Sequence, residues 1–130
     1  MSNIEIVARC IDALRRRDRE TLLALSVEDI EIRPLRAVLE GTVYRGPGAF
    51  DQWIRDVDET WLELDIEVEE IHEPVPGYVV AFATLRARGH ESAAPTSMPV
   101  ALTAYLRDGL VTHAATMLDR DAAMQAANGA

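Results

Sequence analysis

Ile4, Val7, Ile11 and Leu14 recur at helical spacing, with Cys10 beside them. Ahead of them stands Ser2-x-x-Glu5, the spacing at which each side chain satisfies a backbone N–H of the first turn. The pattern predicts an amphipathic helix ending in Arg15-Arg16-Arg17, a run suited to the carbonyl end of a helix and read as solvated. Asp18 is placed to cap a short second helix carrying Thr21, Leu22, Leu23 and Leu25. The period then changes to two: Ile30 and Ile32 face one way, Glu31 and Arg33 the other, until Pro34 stops the strand. After Thr42-Val43-Tyr44, Gly46-Pro47-Gly48 punctuates the chain before a third helix striped by Phe50, Trp53, Ile54 and Val57.

The clearest strand follows, with Leu62, Leu64, Ile66 and Val68 alternating with Glu63, Asp65, Glu67 and Glu69. Pro74-Val75-Pro76-Gly77 reads as a turn, residues 78–88 as a long strand, and residues 89–99 as a loop or irregular strand end. Two strands at 100–107 and 110–118 flank Asp108-Gly109, a hairpin dipeptide. Asp119 caps a closing helix that frays into Asn128-Gly129-Ala130. Helices followed by strands on short turns predict an α+β fold: three helices from the N-terminal half on an antiparallel sheet, and a short C-terminal helix.

Composition narrows the function classes. At 130 residues, 48% hydrophobic and 27% charged, the chain has the balance of one folded globule spanning 1–130. A net charge of −9 and a pI near 4.7 argue against nucleic acid as a partner. The apolar runs are far too short for a membrane helix, and the N-terminus lacks a signal-peptide pattern. Cys10 is the single cysteine, which excludes an internal disulfide and a cysteine-rich zinc site. The expectation is a cytoplasmic protein, and thirteen basic residues that are all arginine hint at a bacterial source.

With no lysine, Schiff-base chemistry is impossible, and no glycine-rich phosphate loop or nucleophile elbow is present. His72, His90 and His113 lie on different elements, so neither a metal nor a cofactor is expected. The remaining polar residues sit on strand faces. Glu31 and Arg33 share one; Thr84, Arg86 and Arg88 share another with Tyr78, Val80 and Phe82; Thr103, Tyr105 and Arg107 a third; His113, Ala115 and Met117 a fourth. Such a mix, with Phe50 and Trp53 from the covering helix, suits the lining of a small-molecule pocket. Arg86, Arg88 and Arg107 are read as facing solvent, while for Glu31, Arg33 and His113 pocket and solvent both stay open.

Tyr44-Arg45-Gly46-Pro47-Gly48 leading into Phe50 and Trp53 resembles the entry to the third helix in the SnoaL-like branch of the NTF2-like superfamily. Arg88-Gly89-His90-Glu91-Ser92, then Arg107-Asp108-Gly109-Leu110-Val111, then Leu118-Asp119-Arg120 before an alanine-rich helix, resemble its C-terminal half. The relatives include polyketide cyclases, ketosteroid isomerases and limonene-epoxide hydrolases. The resemblance implies a cone of three helices over a curved sheet, a deep apolar cavity, and a homodimer formed through the sheet. It does not carry over the catalytic carboxylates. Arg33 stands before Pro34 where the isomerases have their general-base Asp, the oxyanion-hole Asp falls near Thr103, and the cyclase Asp falls among Ala114, Ala115 and Thr116.

Three functions remain open. An enzyme would use Glu31 as acid/base and His113 as partner, with Glu31 raised toward neutrality by an apolar cavity or held ionised by Arg33. Arg33, Tyr44, Phe50, Trp53, Phe82, Thr103, Tyr105 and Met117 would contact a small hydrophobic polyketide-, steroid- or terpenoid-like molecule, and the reaction would be cofactor-free proton transfer beside a carbonyl. A binding protein would hold the same guest without turnover. A dimeric interaction domain would fill the cavity with Phe50, Trp53, Trp61 and Met117.

Overall fold

In the computed structural model, residues 1–34, 40–90 and 94–126 are described. Glu91 and Ser92 of the motif that begins at Arg88, and Asn128-Gly129-Ala130, lie outside them. Helix α1 spans Asn3–Arg15, and the Ser2 hydroxyl oxygen accepts from the Glu5 N–H at 3.1 Å. Glu5 returns its carboxylate to the Ser2 hydroxyl rather than to the Ser2 N–H. Ile6, Val7, Ile11 and Ala13 form the buried face. Helix α2 spans Arg19–Ala24 and is capped by Asp18, which accepts from the Thr21 N–H and hydroxyl. Between the two, Arg17 takes a left-handed conformation (φ 56°) that reverses the chain. The arginine run braces as well as charges this corner. Arg15 donates to the Ile66 carbonyl at 2.7 Å, and Arg17 donates to the Leu14 carbonyl and pairs with Asp58 at 3.1 Å.

Strand β1 (Ser26–Arg33) leads to the two-residue β2 (Tyr44–Arg45) and helix α3 (Ala49–Thr60). Strands β3 (Trp61–Val75), β4 (Tyr78–Gly89), β5 (Thr96–Arg107) and β6 (Leu110–Met117) then form a meander, and helix α4 (Arg120–Gln125) closes the described chain. The sheet order is β2-β1-β6-β5-β4-β3. Four neighbouring pairs are antiparallel, as the turns require; β1 and β6 run parallel. No hairpin joins those two. The chain leaves β1, crosses to the far edge through α3, and works back strand by strand, so the direction of β6 beside β1 is set by the number of reversals.

The β5–β6 turn has Asp108 and Gly109 both at positive φ (54° and 78°), the conformation that matches the twist of a two-residue hairpin. At the β3–β4 turn Gly77 sits at φ 85°, where a Cβ would stand 3.1 Å from the Leu106 carbonyl. Leu62, expected among the buried positions of β3, is 55% exposed. A bulge between Trp61 and Glu63 shifts the register there, and Trp61 takes the inward place beside Leu64. The acidic face of this edge strand meets arginines of β4, with Glu63 on Arg88 and Glu67 on Arg86.

Sheet parity divides the core in two. Ile30, Ile32, Val79, Ala81, Ala83, Val100, Ala104 and Leu106 pack beneath α1, α2 and Phe50 of α3. Tyr78, Val80 and Ala101 lie on the opposite face, covered by Ala123 and Met124 of α4.

Candidate functional site

Between the helices and the inner sheet face lies a cavity of about 130 Å³. Val7, Cys10, Ile11 and Leu14 of α1 and Leu22 of α2 form one wall. Phe50, Trp53 and Val57 of α3 form the second, and Trp61, Leu64, Ile66 and Leu85 the third. The floor includes residues 102–104 of β5 and 114–116 of β6. Consecutive residues of a strand point to opposite faces, so the short Ala104 and Ala114 side chains leave backbone exposed to the cavity there. Among the described residues no Asp, Glu or His lines it. Its polar members are Ser26, Arg33, Thr103, Thr116 and the weakly polar Cys10. Burial pushes the Cys10 thiol up to about 11, so it is neutral throughout the physiological range.

A second concavity, an open groove of about 1020 Å³, lies on the outer face and is bordered by Glu31, Arg45, Tyr105, Arg107 and His113. Here Glu31 and His113 do meet, with Nε2 3.2 Å from Oε2, because β1 and β6 place them side by side in register. Arg45, opposite Glu31 on β2, donates to its Oε1 at 2.8 and 3.1 Å, and Arg33 donates at 3.4 Å. The Arg45 hydrogen bonds, reinforced by the charges of Arg45, Arg33 and His113, hold the Glu31 carboxyl below its ordinary 4.5 despite partial desolvation. The expected rise toward neutrality is therefore overturned, and the alternative of a carboxylate held ionised by arginine is what the geometry carries. Arg45, unremarked as a partner in the sequence, makes the closest contact.

The sequence-derived ligand residues divide by parity. Phe50, Trp53, Arg33 and Thr103 border the cavity, Arg33 with a side chain 56% exposed at the rim. Tyr44 packs against the inner core and donates to Asp56 at 2.7 Å, away from the cavity lining. Phe82 and Met117 belong to the outer cluster under α4, where Arg120 lies over the Phe82 ring at 5.1 Å. Tyr105 packs there too, at the edge of the outer groove. Arg86 and Arg107 are exposed.

The row of β4 and β5 that carries Tyr78, Val80, Phe82, Thr103 and Tyr105 lies on the outer side of the sheet. The cavity is built from the bland complementary faces, including Leu85, Leu102 and Ala104, and from the apolar stripe of α1. That stripe was legible at Val7, Ile11 and Leu14. Ser26, at the junction of α2 and β1, carried no pattern that marked it. Among the described residues no group of three His, Cys, Asp or Glu side chains is arranged to hold a metal ion, and no helix is long and apolar enough to cross a membrane.

No protein-family model matches the sequence, and no curated protein matches it. Solved structures do. An NTF2-like protein of unknown function from Burkholderia pseudomallei K96243 superposes with a TM-score of 0.79 at 19% identity, over 96% of this chain and 97% of that one. The fold is NTF2-like. TerC, co-crystallised with polyporic acid, has the same NTF2-like path with a TM-score of 0.79 at 20% identity, over 92% of this chain and 93% of that one. A SnoaL-like protein from Jannaschia sp. CCS1 follows at 0.76 and 19%, over 95% and 90%. At such identities the likeness carries the NTF2-like architecture and not an activity.

Proposed function

We propose that this protein binds a small apolar molecule in the cavity under α1, α2 and α3, without a proton-transfer group of its own at that site. The observation that carries the reading is the lining, which is aliphatic and aromatic almost throughout and holds no carboxylate or imidazole among the described residues. General acid–base catalysis needs such a group within hydrogen-bond reach of the reacting atom, and Glu31 and His113 border the other concavity, on the outer face of the sheet. Co-crystallisation of TerC with polyporic acid supports small-molecule binding on this architecture.

The guest is small. Drug-sized ligands occupy roughly 300–1,000 Å³, whereas a dry, engineered protein cavity of about 150 Å³ accepts benzene. The present cavity is close to the latter at about 130 Å³. It fits one six-membered ring, aromatic or alicyclic, better than a steroid or a tricyclic polyketide.

Both tryptophans of the chain, Trp53 and Trp61, line the cavity. Titration with toluene, read by tryptophan emission, is expected to give a saturable change with one site. No saturable change with toluene or cyclohexane, in protein shown to be folded by circular dichroism, would refute the proposal.

A further inference from the structure

Ser26 is one of the few polar residues bordering the cavity and is nine-tenths buried, yet its hydroxyl oxygen is fully occluded and has no hydrogen-bond partner. A hydroxyl withdrawn from water without a partner is disfavoured, and folded proteins leave few of them. The position is specific. Ser26 directly follows Leu25, the C-cap of α2, whose carbonyl accepts from the Val111 N–H at 2.9 Å. It therefore marks the end of the cavity roofed by α1 and α2, while Arg33 marks the exposed end: the two pair with Val111 and Ala115 of β6, which at about 3.3 Å per residue lie about 13 Å apart.

Of the other polar groups of the lining, Thr116 sits on the sheet floor, away from the α2 end, and the remaining three are turned away, engaged or weak. Thr103 shares the outer face of the sheet with Tyr78 and Tyr105, by the alternation that turns Leu102 and Ala104 inward. Arg33 reaches Glu31. The Cys10 thiol is a poor donor.

We infer that Ser26 is the polar anchor of this cavity, forming one hydrogen bond to a hydroxyl or carbonyl oxygen at the buried end of an otherwise apolar guest. The ligand class is thus a phenol, cyclic alcohol or cyclic ketone of about one ring. The hydroxyl, occluded where it stands, reaches the guest by rotating about χ1 among its three staggered wells, and because it both donates and accepts, a single residue serves all three ligand types. The inference rests on the cavity being the ligand site, and it adds which end of the guest is polar and which residue selects it.

Phenol and toluene have nearly the same shape and differ by the hydroxyl, so the pair isolates the anchor. Calorimetric titration of wild type and Ser26→Ala with each is expected to show phenol binding weakened about tenfold by the substitution, the scale of one hydrogen bond to an otherwise orphaned group. Toluene binding should change less than about twofold. Ser26→Cys, which keeps the volume and offers a weaker donor, is expected to lose phenol affinity with toluene unchanged, and it serves if the alanine variant misfolds. In ligand-free protein, Ser26→Ala should be at least as stable as wild type, because an unpartnered polar group has been removed. Equal loss of phenol and toluene, or no change in either, overturns the anchor while leaving the cavity as a ligand site. Failure of wild type to bind either compound overturns the cavity itself, and the anchor with it.

Discussion

Filling the cavity from its floor gives the sharpest test of whether it is usable space. Ala104 is 6% exposed, pairs with Val79 on β4 and Ala114 on β6, and borders the void. Ala104→Leu adds three carbons there. At about 0.8 kcal/mol for each buried carbon, less roughly 0.5–1 kcal/mol for the immobilised side chain, the folded state gains about 1.5 kcal/mol. With an unfolding entropy of about 2.1 cal/mol/K per residue over 130 residues, that gain raises the thermal midpoint by roughly 5 °C.

The same substitution closes the proposed ligand site. Wild type with toluene at about a hundred times its Kd gains about 2.7 kcal/mol, or roughly 10 °C; the variant is expected to gain nothing. Thermal unfolding of both proteins, with and without toluene, reads all four midpoints. If the interior is solid, three extra carbons strain it by about 1–3 kcal/mol and the sign reverses. A destabilised variant that still responds to toluene as wild type does would refute the reasoning.

The remaining predictions concern the groups around the two faces. Tyr78, 2% exposed, donates to the Ala123 carbonyl at 2.7 Å and tethers α4, so Tyr78→Phe should cost about 1–3 kcal/mol by denaturant unfolding and increase amide exchange in residues 120–125. An unchanged midpoint would remove that hydrogen bond from the account of α4. Because the Glu31 carboxyl is held below 4.5, its contribution to stability is present above that pH and fades as the pH falls through its lower folded value. Glu31→Gln should therefore lower stability at pH 7 and flatten the acid limb below pH 4.5, as measured by urea midpoints against pH. With its pKa near 11, Cys10 should be about 0.1% thiolate at pH 8, and thiol labelling of native protein should run about a hundredfold slower than in urea-unfolded protein, slower still with toluene bound. Equal rates in the native and unfolded protein would mean that the α1 face is open to solvent.

The local elements were written in the chain because local forces decide them. Ser2 and Asp18 cap helices whose first turns follow at fixed spacing, and Asp108-Gly109 supplies two adjacent residues tolerant of positive φ at the β5–β6 turn. Alternation along β1 assigned Glu31 and Arg33 to one face, and the NTF2-like order of elements was readable from motifs that each cover only a few residues. What alternation does not say is which of two faces is turned inward when both carry apolar groups. On β4 the row Tyr78, Val80, Phe82 looks as buried as the row Val79, Ala81, Ala83; Tyr78 and Val80 are buried and Phe82 partly so, but under α4 on the outer face.

The meeting of Glu31, Arg45 and His113 was likewise beyond reach of the sequence, since it depends on a parallel pairing between strands 82 residues apart that no turn dictates. The void itself depends on how far three helices stand from a curved sheet. That distance is a sum of side-chain volumes from every layer, so it belongs to the packed molecule and not to any segment of it.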